Sequence, residues 1–310
     1  MVTILLFPGQ GAQKVGMSKD LADAFPEALR ALQQIDEALG VALGRVMWEG
    51  PESELTLTYN AQPAILAHSC AILAVIARRL KGVVAAAGHS LGEYTAWVAA
   101  GALDPSEAAR LVRRRGELMF QAGESRPGAM AAVLGLATSD VEVACAQAQL
   151  DTEAIVVAAN LNAPDQTVIS GDPAAVTHAG ALCQVAGAKR VIALNVSGAF
   201  HSPLMDPAAS GLRDALGNAS FTAPAFPVMA NATAELARSR EDAVASLGAQ
   251  LTAPVRWVES MRHLHEAHPD AHWLEIGPGN VLTGLLKRIV PAARCTPLGT
   301  AAQVDAWMAA

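Results

Sequence analysis

The first 120 residues alternate short apolar runs with longer segments in which apolar residues recur at helical spacing. The apolar runs predict β-strands at residues 3–7 and 83–87. The helical spacing predicts helices at residues 18–25, 28–39 and 62–80. Strands that alternate with helices in this way are typical of a parallel sheet with helical crossovers, so the sequence predicts an α/β fold.

A second pattern follows this part of the chain. Its predicted elements are a strand at residues 129–134, a helix at 139–148, strands at 154–160 and 166–170, a helix at 173–186 and a strand at 190–196. This βαββαβ order is that of the ferredoxin-like unit. Strands at residues 227–230 and 272–276 are expected to rejoin the first sheet. We therefore predict a core of residues 1–125 and 198–310 with an inserted ferredoxin-like subdomain at residues 126–197.

Length and composition exclude several classes of protein. With 310 residues, 52% of them apolar, the chain can bury a large core. Its longest apolar stretch, residues 61–77, is interrupted by Gln62, His68 and Ser69, whereas a membrane span needs about 20 nearly unbroken apolar residues. Residues 1–7 have no basic lead and predict a strand rather than a signal peptide. We expect a soluble, cytosolic protein.

Charge and cysteine content narrow the choice further. A net charge of -7 argues against a nucleic-acid binder, which would need a basic surface. The four cysteines, at positions 70, 145, 183 and 295, stand far apart and form no CxxC pair. That spacing favours reduced, mostly buried thiols over a disulfide framework or a zinc site, so no metal is expected.

The sharpest chemical signal is the run Gly88-His89-Ser90-Leu91-Gly92, which follows an apolar segment and precedes a helix-like one. Glycines on both sides permit a strained strand-to-helix turn. Such a turn would project the serine hydroxyl outward and aim the next backbone N–H at a developing oxyanion. An ordinary glycine-rich turn would give the same pattern, so both interpretations remain open.

A serine nucleophile needs a base, and His201 is the candidate among eight histidines. It lies in a loop of small residues between a predicted strand and a predicted helix, where the catalytic residues of α/β sheets gather. The histidines at positions 263, 265, 268 and 272 sit among charged residues and are expected at the surface. A purely structural hydrogen-bonding role would also fit His201.

The helix that begins after Asp104 has a well-marked register, because Asp104 is an N-cap residue, Pro105 takes the first position and Glu107 can complete a capping box. Arg115 falls within the apolar stripe of this helix, and we predict that it points inward. A buried guanidinium needs an anion, and its planar fork matches a carboxylate. A substrate carboxylate, a salt bridge within the protein or a snorkelling side chain would each satisfy it.

The first predicted strand ends in Phe7-Pro8-Gly9-Gln10-Gly11-Ala12-Gln13, which is neither a Walker loop nor a GxGxxG fingerprint. The two glycines let the backbone at Gln10 approach another group closely, which makes its N–H a candidate oxyanion donor. A plain tight turn has the same spacing. A similar turn at residues 276–280 is expected to be structural.

Together these motifs resemble those of the malonyl-CoA:acyl carrier protein transacylases of type II fatty acid synthesis. The resemblance covers nearly the whole chain and rests on FPGQGAQ at residues 7–13, GHSLGEY at 88–94, RRGELM at 114–119, GAMAAVLGL at 128–136, NAPDQTVISG at 162–171, GAFHSPLM at 198–205, TAPVRW at 252–257 and EIGPGNVLTGLLKR at 275–288. It implies an α/β-hydrolase-like large subdomain with a parallel sheet and a ferredoxin-like small subdomain. It also implies malonyl-CoA as substrate, no tightly bound cofactor, and a monomer.

The resemblance further implies a ping-pong reaction through a malonyl-serine ester, with an acyl carrier protein as the acceptor. The implied roles are Ser90 as nucleophile, His201 as base, Arg115 as ligand of the malonyl carboxylate, Gln10 and Leu91 as backbone oxyanion donors, Gln250 as the residue whose main-chain carbonyl orients the histidine, Asn160 and Asn162 at the acyl end of the cleft, and Phe200 as a bulky ring that disfavours an α-methyl branch. Because carrier proteins of this pathway are acidic, the basic pairs Lys189 with Arg190 and Lys287 with Arg288 are candidate docking residues.

Other functions use parts of the same pattern. A GxSxG esterase or thioesterase lacks a reason for an inward arginine, and the chain has no HGGG-type oxyanion motif. An acyltransferase of a polyketide pathway, or of malonate decarboxylase, would share the chemistry and differ in its acceptor. A non-catalytic carrier-binding scaffold would have no need to keep Ser90, His201 and Arg115.

Overall fold

The computed structural model describes residues 2–196 and 198–310. Met1, where the predicted core begins, and Ser197, where the predicted subdomain ends, lie outside the described residues. The strands are β1 (Thr3–Phe7), β2 (Val83–Gly88), β3 (Ala129–Leu134), β4 (Val156–Ala163), β5 (Gln166–Gly171), β6 (Arg190–Ala193), β7 (Val228–Met229), β8 (Leu236–Ala237), β9 (His272–Ile276) and β10 (Arg294–Leu298). The helices are α1 (Lys19–Ala24), α2 (Pro26–Leu39), α3 (Leu43–Glu49), α4 (Glu52–Leu55), α5 (Thr58–Ile76), α6 (Gly92–Ala99), α7 (Pro105–Ser125), α8 (Thr138–Thr152), α9 (Pro173–Val185), α10 (Asp206–Asn218), α11 (Arg240–Gln250), α12 (Trp257–Ala267), α13 (Val281–Ile289) and α14 (Ala301–Ala309), with a 3-10 helix at Pro203–Met205.

The larger sheet has the strand order β10-β9-β1-β2-β7-β8. Its strands pair in parallel except for β8, which is antiparallel to β7. The carboxyl ends of the parallel strands therefore meet at one edge, where α/β sheets bind their ligands. Gln10, Ser90 and Asn231 each follow a strand at this edge.

Strand β1 lies at the centre of the large subdomain and is buried on both faces. Leu5 and Phe7 pack into the apolar cluster that includes residues of α5, α6 and α7, whereas Ile4 and Leu6 pack into the cluster of α12 and α13. A strand covered by helices on both sides has no polar face, which explains why its sequence is a continuous apolar run.

The smaller sheet is antiparallel, with the order β4-β5-β3-β6, and α8 and α9 share its apolar core. The fold class predicted from the sequence, an α/β sheet plus a βαββαβ unit, is confirmed. All four strands fall within residues 126–197, so we propose that this segment is the inserted subdomain. Strand β6 ends at Ala193 and not at position 196, because the chain leaves the sheet there and residues 194–196 line a cavity.

Helix α5 is, among the described residues, the one helix that is long and apolar enough to cross a membrane. Within its apolar window 78% is buried inside the protein, where it packs against α2 and α7. Such burial is that of a core helix, whose uniform apolarity reflects contact with protein on every side.

Helix α7 has the register that the sequence predicts. The Asp104 carboxylate accepts hydrogen bonds from the backbone N–H of Ser106 at 2.8 Å and of Glu107 at 3.3 Å. The expected capping box is not completed, because the Glu107 side chain pairs with Arg110 instead. The register carries Arg115 into the core, where it is 1% exposed.

We expect Asp104→Ala to lower the free energy of unfolding by about 1 kcal/mol, because two N–H groups at the start of α7 would lose their acceptor. Asp104→Asn, which keeps a side-chain oxygen, should retain most of that stability. Urea unfolding monitored by circular dichroism measures both variants. If Asp104→Ala and Asp104→Asn lowered the free energy of unfolding equally, the side-chain oxygen at the cap would not be what stabilises α7.

Candidate active site

Ser90 stands on a sharp turn between β2 and α6, with a left-handed backbone angle φ of 53°. A Cβ atom at Gly88 would overlap the backbone of Gly92, and one at Gly92 would overlap the carbonyl oxygen of Phe7. Both glycines are therefore sterically required where the turn crosses the end of β1. A serine held in a sparsely populated conformation by its surroundings is typical of a nucleophile elbow and not of an ordinary turn.

His201 reaches the serine from the loop before the 3-10 helix. Its Nε2 lies 2.8 Å from the Ser90 Oγ, and its Nδ1 lies 2.9 Å from the main-chain carbonyl oxygen of Gln250. Because the carbonyl can only accept, Nδ1 carries the proton and Nε2 is free to accept one from the serine. Burial and then the nearby Arg115 charge lower the pKa of His201 to about 3, so its imidazole is neutral at neutral pH.

Arg115 is the buried cation of the site. Its Nη2 donates to the Ser90 Oγ at 3.0 Å and to the Gln250 Oε1 at 2.9 Å, and its Nη1 donates to the Gln62 Oε1 at 2.7 Å. All three partners are neutral. Within residues 2–196 and 198–310, no carboxylate forms a salt bridge with this guanidinium.

Two further side chains, Asn231 and Glu93, hold the peptide of the nucleophile. The Asn231 Oδ1 accepts the Ser90 N–H at 2.7 Å, and its Nδ2 donates to the Gly88 carbonyl at 2.7 Å. The Glu93 Oε2 accepts hydrogen bonds from the Asn231 N–H at 3.0 Å and from the Gln250 Nε2 at 2.7 Å. Sequence reasoning missed both residues, although Asn231 follows a strand at the same edge as Ser90 and Glu93 opens the helix after it.

The backbone N–H groups of Gln10 and Leu91 are the predicted oxyanion donors. Among the described residues, neither donates to an acceptor, which leaves both available to a ligand. Leu91 is the N-cap of α6, so its N–H points from the positive end of a helix. The Gln10 side chain is anchored by Thr58, whose Oγ1 donates to the Gln10 Oε1 at 2.8 Å.

A cavity of about 290 Å³ opens onto the Ser90 and His201 side chains. Met119, Met130 and Phe200 supply apolar walls, and Asn160 also lines this cavity. Asn162 does not line this cavity; it contacts a smaller neighbouring one, where its Oδ1 lies 2.8 Å from the His89 Nε2. The pairing of β4 with β5 is irregular on both sides of these residues, between Ala158 and Asn160 and between Leu161 and Ala163.

None of the four predicted docking residues is among those that line the cavity at Ser90. Lys189 and Arg190 are exposed at the start of β6, and Lys287 is exposed on α13. Arg288 bonds to Asp165 and donates to the Gln166 Oε1 at 2.6 Å. It therefore ties α13 to the turn between β4 and β5. In the part of the chain that the structure describes, no group of His, Cys, Asp or Glu side chains is arranged to hold a metal ion.

Comparisons with known proteins agree with this geometry. The sequence profile of the acyl transferase domain matches residues 4–303. The chain is similar to the malonyl CoA-acyl carrier protein transacylase of Bacillus subtilis, with 44% identity over 288 residues, which are 92% of this chain and 89% of the relative.

Two solved structures are similar to this one over nearly their full lengths. The first is a malonyl-transacylase in complex with its type II polyketide synthase acyl carrier protein, with a TM-score of 0.94 and 41% identity over 98% of each chain. The second is an acyl carrier protein S-malonyltransferase from Vibrio cholerae, with a TM-score of 0.94 and 40% identity over 99% of this chain and 100% of that one.

We expect Gly92→Ala to lower the free energy of unfolding by about 1–3 kcal/mol, because the added methyl group would meet the Phe7 carbonyl. Gly217→Ala is the matched control, since no atom lies within 4 Å of a Cβ built there and the residue sits in helix α10. The control should be neutral or stabilising. Urea unfolding measures both, and an unaffected Gly92→Ala protein would contradict the steric requirement.

Proposed function

This chain belongs to the acyl transferase domain family and, within it, to the malonyl-CoA:acyl carrier protein transacylases, and we propose that Ser90 is the residue on which it carries the malonyl group. The enzyme moves a malonyl group from malonyl-CoA to the thiol of an acyl carrier protein by a ping-pong reaction. Malonyl-CoA is a substrate, and the chemistry requires no tightly bound cofactor.

One observation carries the assignment of residues. The Ser90 hydroxyl lies within hydrogen-bond distance of two groups at once, the His201 Nε2 and the Arg115 Nη2. The first can take the proton of the hydroxyl, and the second can pair with a carboxylate attached to whatever acyl group the hydroxyl receives. An esterase of neutral substrates would have no use for the second group.

In the first half of the reaction, the Ser90 Oγ forms a bond to the thioester carbonyl carbon while its proton passes to the His201 Nε2. The oxyanion that develops would accept hydrogen bonds from the Gln10 and Leu91 backbone N–H groups. When this intermediate collapses, the carbon–sulfur bond breaks and the coenzyme A sulfur takes the proton from His201. The carrier thiol then repeats these steps in reverse on the malonyl-serine ester.

The apolar walls of the cavity support a preference for an unbranched malonyl group. Phe200 is 6% exposed and packs next to His201, and Met119 and Met130 also line the cavity. A group held between Arg115 and Ser90 would place its α-carbon against these side chains. We propose that they leave little room for an α-methyl branch, and that methylmalonyl-CoA is the poorer substrate.

The carrier protein would approach the cavity mouth beside β6. Arg190 begins that strand and Lys189 directly precedes it. The chain after the strand, at residues 194–196, lines the cavity, which supports this pair over Lys287 and Arg288 as the docking cations. The surface residues of the carrier protein determine whether a carrier of fatty acid synthesis or one of polyketide synthesis docks here. We also propose a monomeric enzyme without a membrane partner, and we propose that it is cytosolic, which the free thiols of its four cysteines support.

Intact-protein mass after mixing with malonyl-CoA tests the assignment. The wild-type chain should gain one malonyl group and lose it when a carrier protein is added, and Ser90→Ala should gain none. Arg115→Ala should form the adduct at least about a hundredfold more slowly, because the buried carboxylate would lose a bidentate partner. Arg114→Ala, on the exposed side of the same helix, should behave as wild type.

An adduct on Ser90→Ala would contradict Ser90 as the carrier of the acyl group. Release of free malonate without a carrier would instead indicate a thioesterase. Equal adduct rates in Arg115→Ala and Arg114→Ala would remove the assigned role of Arg115.

The pH dependence of acylation tests the role of His201. Burial, the largest cause of the low pKa of His201 (about 3 in the empty site, where the Arg115 charge also contributes), persists when a carboxylate pairs with Arg115, so the base should stay unprotonated down to about pH 5. At saturating malonyl-CoA, the rate of adduct formation should therefore stay constant from about pH 8 down to about pH 5. Rapid-quench mass spectrometry measures this rate. A half-maximal rate near pH 6.5 would show that His201 titrates as a histidine in water.

A further inference from the structure

Glu93 is a buried acid that the reaction described above does not use. It lies three residues after Ser90 and is 0% exposed. Its Oε2 accepts two hydrogen bonds, from Asn231 and Gln250, whereas its Oε1 has no partner within the described residues. A carboxylate buried with one unsatisfied oxygen is expensive unless a nearby positive charge stabilises it.

The Gln250 amide stands between Glu93 and Arg115. Its Oε1 accepts from the guanidinium at 2.9 Å, and its Nε2 donates to the carboxyl group at 2.7 Å. One amide thus links the buried cation to the buried acid. The charged and titratable groups that face Glu93 are Arg115 from α7 and Tyr94 from α6, while α11 and the loop after β7 present the neutral Ser246, Gln250 and Asn231.

We propose that Glu93 is a positioning residue that acts as the counter-charge of Arg115 while the acyl site is empty, and that it takes up one proton when a substrate carboxylate pairs with Arg115. The proposal rests on the proposed function, in which Arg115 binds that carboxylate. One buried cation can stabilise one anion, and a second anion at the same guanidinium makes the ionised form of Glu93 unfavourable. The proton comes from solvent, and no other bond changes.

The titration behaviour of Glu93 supports this exchange. Burial raises its pKa from 4.5 to about 7, and the rise is opposed by hydrogen bonds with Asn231, Gln250 and Ser246 and, to the smallest extent, by the Arg115 charge. When a substrate carboxylate neutralises Arg115, that opposition weakens and the pKa rises further. Glu93 would then be largely ionised in the empty enzyme at pH 8 and protonated in the complex.

Calorimetric titration of Ser90→Ala, which cannot be acylated, measures the proton directly. Malonyl-CoA is titrated at pH 8 in phosphate and in Tris, whose different ionisation enthalpies reveal the protons taken up. We expect about one proton per malonyl-CoA bound at pH 8 and almost none at pH 5.5. Acetyl-CoA, which has the same coenzyme A and no free carboxylate, should take up none at either pH.

A kinetic comparison separates this role from a purely structural one. In the wild type, KM for malonyl-CoA should rise about tenfold between pH 6 and pH 8, because an ionised Glu93 must first be protonated. Glu93→Gln keeps the acceptor oxygen without the charge, so its KM should stay at the low-pH value over that range. At pH 8, the difference between Glu93→Gln and the wild type should be smaller in kcat than in KM.

Equal proton uptake for malonyl-CoA and acetyl-CoA at pH 8 would overturn the proposal, as would a KM that depends on pH equally in wild type and Glu93→Gln. If Glu93→Gln fails to fold, as circular dichroism would show, the calorimetry on Ser90→Ala still decides. Formation of the malonyl adduct by the wild type is independent of these results. Its absence would overturn the proposed function itself.

Discussion

The active site depends on one buried positive charge. The Arg115 guanidinium donates to Gln62 from α5, to Gln250 from α11 and to Ser90 at the elbow, so that three separate parts of the chain converge on it. Neutral partners reduce the cost of burying the charge without neutralising it. Burial and, after it, this charge lower the pKa of His201, which leaves its imidazole neutral. The cation therefore both orders the site and helps to keep the proposed base unprotonated.

Backbone strain is found at the two residues proposed to react. Ser90 and His201 both have left-handed backbone angles, with φ values of 53° and 57°. Residues other than glycine adopt this conformation at a cost of about 1–3 kcal/mol, which the surrounding structure must offset. The Ser90 N–H donates to the Asn231 Oδ1 and the Ser90 carbonyl oxygen accepts from the Gln250 Nε2, and together with the close approach of Gly92 to β1 these bonds hold the turn in place. Preorganisation of this kind fixes the serine oxygen before substrate binds.

Local signals predicted the elements and several of the side chains well. The capping of α7 by Asp104 fixed a register, and the register alone predicted that Arg115 is buried. Signals of the same kind could not predict Glu93 or Asn231, because a carboxylate at a helix start and an asparagine after a strand are common at protein surfaces. Nor could they separate Asn160 from Asn162, which line two different cavities in the folded chain. These local signals also could not predict that Arg288 bonds to the turn between β4 and β5.

The sequence by itself determined the α/β order, the ferredoxin-like insertion, the glycine-flanked turn at Ser90 and the inward face of α7. Each of these follows from periodicity or steric limits within about twenty residues. Only the tertiary structure decided that His201 meets Ser90 across 111 residues and that Gln250 meets it across 160. Contacts of that range depend on how parallel strands bring their carboxyl ends to one edge, and on a balance of burial and charge that no short segment contains.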